Sequence, residues 1–572
     1  MTRHGGYALV DTLIAHGITH VFGMPGGQAN AFYDALSDRR DKITHVLVRD
    51  ETTAGYAADA FARVSGRIGV CDATVGPGAA KFPSGLMEAY NSSVPVLALV
   101  SDHPRDAVLL QSHGRISQGG DQLGVLKPFA KEVFKVPSAD MIPKVVAAAI
   151  HTAVTGRPGP VVVEIPQDVY GQATDAEPVA GSGVYPKFRC VAPDADIARA
   201  VDLFASAKKP IIVAGGGVQL SQAYEELREL QAVCQVPVVT TLSGKGSLPE
   251  TDPLCLGVLG DFGNPFAIEV AREADVILAI GYKHAQNSSY RWTWPAPGQK
   301  LIHIDVDPVE LGRIFRADVP LWGDAKATLR RFIQILNGTK LSVAEEWRQR
   351  AAEAKRKWIA MIQEEGSSAQ IPIWPQRVMQ AISRHIGPDD LIVCDASFSS
   401  GWGAGFIELK QAGRKMLLPR GMAGLGFALP AGLGAAMAKP GANVVCISGD
   451  GAFSYNVGEL VTLRENKVPV INVVLNNHVL SWSKWTQRIN FSCRNQSVEL
   501  GTVDFAAVAR SYNIAGYNVE SPEELEAAIQ QALRAREPSV IDVRTDQWQS
   551  PSVTYRKAME KVRQGIATST AY

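Results

Sequence analysis

Two short polar clusters close two apolar runs near the carboxyl end of this 572-residue sequence: Gly449-Asp450-Gly451 after ANVVCIS, and Asn476-Asn477 after VPVINVVL. Both runs read as buried strands of a parallel sheet, and open α/β sheets bind ligands beyond the carboxyl ends of their strands. Asp450 offers a hard carboxylate, Asn477 a neutral amide oxygen, and the chain just past it, at Val479, a backbone carbonyl. That donor set suits Mg²⁺ or Ca²⁺ shared with a diphosphate. Gly449 and Gly451 allow close approach of the backbone to phosphate, with Ala452 continuing the turn. A bare G-D-G is usually only a turn; its pairing with N-N after an intervening helix and strand makes the pattern specific. The following segment, HVLSWSKWTQR, offers Leu480, Trp482 and Trp485 as apolar walls of a pocket, with core packing as the competing explanation.

These groups need a scaffold, and the chain alternates strand-like and helix-like segments in three blocks. In the first, YALVDTLIAHG, ITHVFGMPGG, THVLVRDE, TTAGYAADAFARVSG, IGVCDATVGPG, FPSGLMEAYNSS and VPVLALVSD precede a last strand in GPVVVEIPQDV. The alternation predicts an α/β fold of three doubly wound parallel-sheet domains, at 1–172, 190–340 and 373–550, with a tail at 551–572. The charged segment AEEWRQRAAEAKRKWIAMIQEE reads as a helical connector running over the surface. Lys+Arg and Asp+Glu are both 57, so no net charge draws the chain to nucleic acid or an anionic membrane. No apolar run approaches the roughly 20 residues of a membrane span, the amino terminus lacks a secretory pattern, and seven scattered cysteines contain no C-x-x-C. Reduced thiols and a cytoplasmic location are expected.

The segment GDGAFSYNVGELVTLRENKVPVINVVLNN resembles the diphosphate motif of thiamine diphosphate enzymes of the pyruvate oxidase and acetolactate synthase group. VRDETTAGYAADAFARVSG resembles the segment that holds the glutamate of the pyrimidine site in that family. The likeness extends over ITHVFGMPGG, DATVGPGAAKFPSGL, TTLSGKGSLPETDPLCLGVLG, IDVDPVELGR and LPRGMAGLGFALPAGLGAAM, almost the whole chain. It implies that the three domains are pyrimidine-binding, central and diphosphate-binding, and that Glu51 is the glutamate. A glutamate hydrogen-bonded to the aminopyrimidine favours the imino tautomer, whose nitrogen lies beside the thiazolium C2 proton. The resemblance further places Leu425 where a bulky apolar side chain props the cofactor in its bent form. Because relatives complete each cofactor site across a subunit interface, it implies a homodimer or a homotetramer.

Residues toward the substrate follow from the same resemblance. In LLQSHGRISQGGDQ, Gln118 matches a glutamine facing the reacting carbon, and His113 is the nearby titratable group. Gly26 and Gly27 could stabilise an oxyanion through their N–H groups. Lys81 stands where acetolactate synthases have a small polar residue and could bind a substrate carboxylate or lie on an exposed face. The middle block is where relatives bind FAD, or ADP or coenzyme A. Here AGGGV suits a dinucleotide turn, but Lys283 replaces the family arginine and YKHAQNSSY lacks its acidic and arginine residues, which argues against FAD. Lys283 and Asp305 are the candidates for a nucleotide contact.

The implied activity is a thiamine diphosphate- and Mg²⁺-dependent C–C lyase or carboligase acting on a small-molecule 2-oxo acid. The alternative is a 2-hydroxyacyl-CoA or 2-hydroxy ketone lyase; a basic groove and an ordered carboxyl-terminal tail would favour the thioester version. A catalytically silent regulatory paralogue is a third possibility, which the retention of Glu51, Asp450 and Asn477 opposes.

Overall fold

The computed structural model describes residues 3–111 and 113–564. Among the described residues, eighteen strands form three six-stranded sheets. The first holds β1 (His20–Gly23), β2 (Thr44–Leu47), β3 (Gly69–Ala73), β4 (Val96–Asp102), β5 (Glu132–Lys135) and β6 (Val161–Pro166), in the order β2-β1-β3-β4-β6-β5. The second holds β7 (Pro210–Ala214), β8 (Val238–Thr240), β9 (Cys255–Val258), β10 (Val276–Ile280), β11 (Lys300–Asp305) and β12 (Val319–Trp322), ordered β12-β11-β10-β7-β8-β9. The third holds β13 (Leu391–Cys394), β14 (Met416–Leu417), β15 (Val444–Gly449), β16 (Val470–Asn476), β17 (Ala515–Val519) and β18 (Ser539–Arg544), ordered β14-β13-β15-β16-β18-β17. The paired strands run parallel, as in β4 against β6 and β16 against β18. This is the three-sheet doubly wound α/β architecture. Its central strands are buried on both faces, so they are apolar at most positions rather than at alternate ones.

The chain divides into two compact units. Among the described residues, one comprises those of 3–188, 419–444 and 456–470; the other comprises 189–418, 445–455 and 471–564. In the first unit the helix Glu51–Ser65 is capped by Asp50, whose side chain accepts from the Thr52 N–H, and stops at Gly66 in the left-handed conformation (φ 69°). Every residue from Thr53 to Arg63 is buried. Such a helix can only be built largely from small side chains. An added Cβ at Gly434, in the helix Ala428–Ala438, would lie 2.0 Å from the Ala57 carbonyl oxygen. One at Gly85, in the helix Pro83–Ser92, would lie 2.7 Å from Gly55 Cα.

In the second unit the predicted connector is a helix, Glu345–Gly366, but it does not simply run over the surface. Trp347, Ala351, Ala354, Trp358 and Ile362, spaced three or four apart, bury one face of it. Of the tail expected at 551–572, residues 565–572 lie outside the described residues. Val553–Arg563 form a helix capped by the Ser552 hydroxyl, and Tyr555 and Met559 are core residues.

Candidate active site

β15 and β16 are neighbours in the third sheet, so the residues that follow them emerge side by side. Asp450, 5% exposed, accepts from the Gly451 N–H (2.8 Å) and through its other oxygen from the His478 N–H (2.6 Å). Burial pushes its carboxyl up to about 6, against the opposing pull of the Gly451, His478 and Asn477 N–H groups. Asn477 donates through Nδ2 to Ser481 Oγ (2.9 Å), while its Oδ1 accepts from the Val479 N–H (3.2 Å). The chain turns sharply at His478 (φ 59°). Residues 498–500 pin this turn: the Leu480 N–H donates to the Val498 carbonyl (2.8 Å) and the Leu500 N–H to the His478 carbonyl (2.7 Å). These bonds leave the Val479 carbonyl outside them.

The residues present fit a divalent cation that shares an anion. Among the described residues no three His, Cys, Asp or Glu side chains group as metal ligands. One carboxylate, one amide oxygen and one backbone carbonyl cannot fill an octahedral shell; water and diphosphate oxygens can supply the remainder. Around Gly449 an added Cβ would meet no protein atom within 4 Å, whereas at Gly451 it would lie 2.9 Å from Leu480 Cδ2. Gly449 thus borders open space and Gly451 is packed beneath Leu480. Trp485 is 3% exposed within the core of this unit, and Trp482 packs on that core against Phe262 (5.3 Å between ring centres) and Tyr555 (5.4 Å).

In the first unit Glu51 opens its helix, 5% exposed, at the carboxyl edge of the sheet. Its Oε1 would lie 2.8 Å from a Cβ added at Gly78, so the bare glycine keeps the space beside the carboxylate free. Lys81 Nζ lies 2.6 Å from Asp50 Oδ2 and 3.6 Å from Glu51 Oε2. The hydrogen bond to Asp50 holds the Lys81 ammonium above its ordinary range.

Thr74 Oγ1 donates to Gln28 Oε1 (3.0 Å), and Gln28 Nε2 donates to Gln118 Oε1 (3.4 Å). A Cβ at Gly26 would fall 2.1 Å from Thr74 Oγ1, while one at Gly27 meets nothing within 4 Å. The structure therefore brings the Gly26–Gly27 turn, Thr74 and Gln118 together. Gln118 and His113 are both exposed on their loop, each at a positive φ (65° and 59°). Leu425 is half-buried in a loop of the same unit.

In the second sheet Lys283 and Asp305 follow and end neighbouring strands, and the lysine's charge acts on the carboxyl group; burial nevertheless pushes Asp305 up to about 6. The glycine run at 215–217 has a packing reason, since a Cβ at Gly215 would lie 2.0 Å from the Gly281 carbonyl oxygen.

A polar cluster in the sheet of the Glu51 unit leaves little trace in the sequence. Asp72, 4% exposed in β3, accepts from the Tyr33 hydroxyl and lies 2.9 Å from His45 Nε2. Burial and the Asp72 charge push the Tyr33 hydroxyl far up, so it remains a donor. The available signal was a lone carboxylate inside the apolar run IGVCDA.

Comparison with known proteins gives three domain matches: thiamine pyrophosphate enzyme, N-terminal TPP binding domain, over residues 3–125; central domain, over 197–332; and C-terminal TPP binding domain, over 395–543. The chain is 36% identical to the probable acetolactate synthase large subunit of Methanocaldococcus jannaschii, covering 95% of this chain and 92% of that protein. It is 34% identical to the acetolactate synthase large subunit of Parasynechococcus marenigrum (95% and 87% covered). It is 31% identical to the acetolactate synthase isozyme 2 large subunit of Escherichia coli (98% and 100% covered).

Proposed function

Since the chain belongs to the thiamine pyrophosphate enzyme family, as an acetolactate synthase-like member, we propose that it decarboxylates a 2-oxo acid and joins the remaining acyl carbon to a second carbonyl compound, using thiamine diphosphate and Mg²⁺. The observation that carries this reading is the buried Asp450 carboxylate, bonded to the turn that carries Asn477 and Val479. Asp450, Asn477 and the Val479 carbonyl would hold the cation, with Gly449, Gly451, Ala452 and Leu480 lining the diphosphate. Bound there, thiamine diphosphate supplies the electron sink for the bond that breaks beside a carbonyl.

Glu51 would hold a proton at the aminopyrimidine ring and so set which ring nitrogen is basic. Leu425 would orient the cofactor by contact. The Gly26 and Gly27 N–H groups would stabilise a developing oxyanion, with Gln118 orienting the substrate and His113 as the loop's titratable group. Lys81, paired with Asp50 and close to Glu51, balances charge in this half-site better than it reaches for a substrate carboxylate. The active form is a homodimer or a homotetramer, in which a second copy of the chain completes each cofactor site. Lys283 and Asp305 are the central domain's candidates for contacting ADP or coenzyme A rather than FAD.

The deciding experiment incubates the protein with thiamine diphosphate, Mg²⁺ and a panel of 2-oxo acids, alone and with aldehydes, further 2-oxo acids or acyl thioesters. Carbon dioxide release coupled to a hydroxy ketone or 2-hydroxy-2-acyl acid is the expected product pattern. Cleavage of 2-hydroxyacyl thioesters with no turnover of any 2-oxo acid would replace this reading with the lyase. The purified protein should also lack the yellow absorbance of flavin; a stoichiometric flavin spectrum would overturn the central-domain assignment.

A further inference from the structure

Of the buried glutamates outside the roles given so far, Glu459 and Glu88 each bind the backbone beside a residue assigned to the cofactor. Glu459 lies between the G-D-G and N-N clusters and is 1% exposed. Its Oε1 accepts from the Arg49 N–H (2.8 Å) and the Asp50 N–H (3.1 Å), the two amides immediately before Glu51. Its Oε2 accepts from the Thr462 hydroxyl (2.6 Å), and Arg49 makes a second link, its guanidinium lying 2.6 Å from Glu465 Oε2. Glu88, fully buried in the helix Pro83–Ser92, accepts through Oε1 from the Gly421 N–H (2.9 Å) and through Oε2 from the N–H groups of Met422 (2.7 Å) and Ala423 (3.4 Å). These amides lie just before Leu425. Arg63 (2.9 Å) and the Ser92 hydroxyl (2.8 Å) fix the same carboxylate. On the far side of Leu425, Asn456 Nδ2 donates to the Gly426 carbonyl (2.6 Å).

The exchange is reciprocal. A carboxylate from the late sequence holds the turn that aims Glu51, and a carboxylate from the early sequence holds the loop that aims Leu425. Buried N–H groups need acceptors, and a carboxylate taking two or three of them makes charge-assisted bonds that fix a loop more firmly than neutral partners do. Displacement of a reacting group by about 1 Å is enough to cost on the order of 10²-fold in rate.

We propose that Glu459 and Glu88 are positioning residues, Glu459 for the Glu51 carboxylate and Glu88 for the Leu425 loop. The proposal rests on the reading of Glu51 and Leu425 as cofactor contacts. Amide hydrogen exchange on the cofactor-free protein tests the clamps themselves. Glu459→Gln should speed exchange at residues 49–50 and leave 421–423 unchanged, and Glu88→Gln should do the reverse. Two further readouts test their purpose. With thiamine diphosphate saturating, Glu459→Gln should slow deuterium exchange at its C2 by roughly 10- to 10²-fold with little change in cofactor affinity. Glu88→Gln should instead weaken calorimetric binding of thiamine diphosphate.

Unchanged amide protection in either variant overturns that clamp. Faster amide exchange with normal C2 exchange and normal affinity overturns the positioning role. Glu51→Gln serves as the reference for Glu459: normal C2 exchange there removes the reading of Glu51 and the role of Glu459 together, while loss there with normal exchange in Glu459→Gln removes the role of Glu459 alone. If Glu459→Gln does not fold, Thr462→Val, which removes one hydrogen bond to the same carboxylate, is read in its place. If Glu88→Gln does not fold, Asn456→Ala loosens the Leu425 loop at Gly426 and should weaken cofactor binding in the same way; unchanged affinity there overturns the role of the loop.

Discussion

Under the proposed metal reading, Asp450 would face opposite demands from burial and from a cation. Burial raises its carboxyl to about 6, above the usual value of about 4, so the folded cofactor-free chain binds this proton more tightly than the unfolded chain does. Its contribution to stability is therefore complete below about pH 4 and is lost as pH rises through about 6. A divalent cation requires the ionised form, so protons compete with it. Magnesium-dependent binding of thiamine diphosphate should weaken about tenfold per pH unit below about 6 and level off above it, measured by calorimetry between pH 5 and 8. Affinity that stays flat through that range would remove Asp450 from the metal. Asp450→Ala should lose the magnesium dependence altogether. That Asp450 and the Asn477 turn come together was legible because the signal is local: glycines, carboxylate and amide sit in two short words of sequence. Glu88 and Glu459 were not, since each finds its backbone partners hundreds of residues away, and nothing adjacent to either announces them.

At the scale of elements, the helix Glu51–Ser65 depends on missing side chains. Gly434→Ala would place a methyl group 2.0 Å from the Ala57 carbonyl oxygen, and backbone cannot yield cheaply there. We expect a loss of roughly 1–3 kcal/mol in urea unfolding. Gly27→Ala, with open space around the new atom, should stay within about 0.5 kcal/mol. Equal effects of the two substitutions would contradict the packing described for this helix. The strands were readable because continuous Val, Ile and Leu runs have few other uses in an α/β chain. The helix Glu345–Gly366 was misjudged because its Lys, Arg and Glu residues outnumber the stripe from Trp347 to Ile362, and it is the spacing of that stripe, not the overall charge, that sets burial.

For the molecule as a whole, the scattered cysteines give a simple measure of how completely it closes. Cys190 and Cys493 are exposed and the other five are buried, with burial pushing the thiols of Cys234, Cys255 and Cys394 up to about 12. A chromogenic disulfide reagent should titrate two thiols quickly and the remaining five only after unfolding. Rapid reaction of more than two would mean that the sheets open in solution. The three-sheet plan was readable from the sequence because each sheet is a contiguous stretch of chain. The division into two compact units was not, because residues 419–444 and 456–470 belong with the amino-terminal sheet despite their distance along the chain.

That membership has a consequence for how the protein is made. The helix Glu51–Ser65 leaves the ribosome long before Ala428–Ala438, which covers one of its faces. At roughly 5–20 residues per second, that face stays bare for tens of seconds. A nascent amino-terminal block therefore waits, sticky and unfinished, for a piece of its own interior still to be translated. Residues 1–188 produced alone should sediment as aggregate or be retained by chaperones, whereas a soluble, cooperatively melting fragment would show that the early block closes without its late companion.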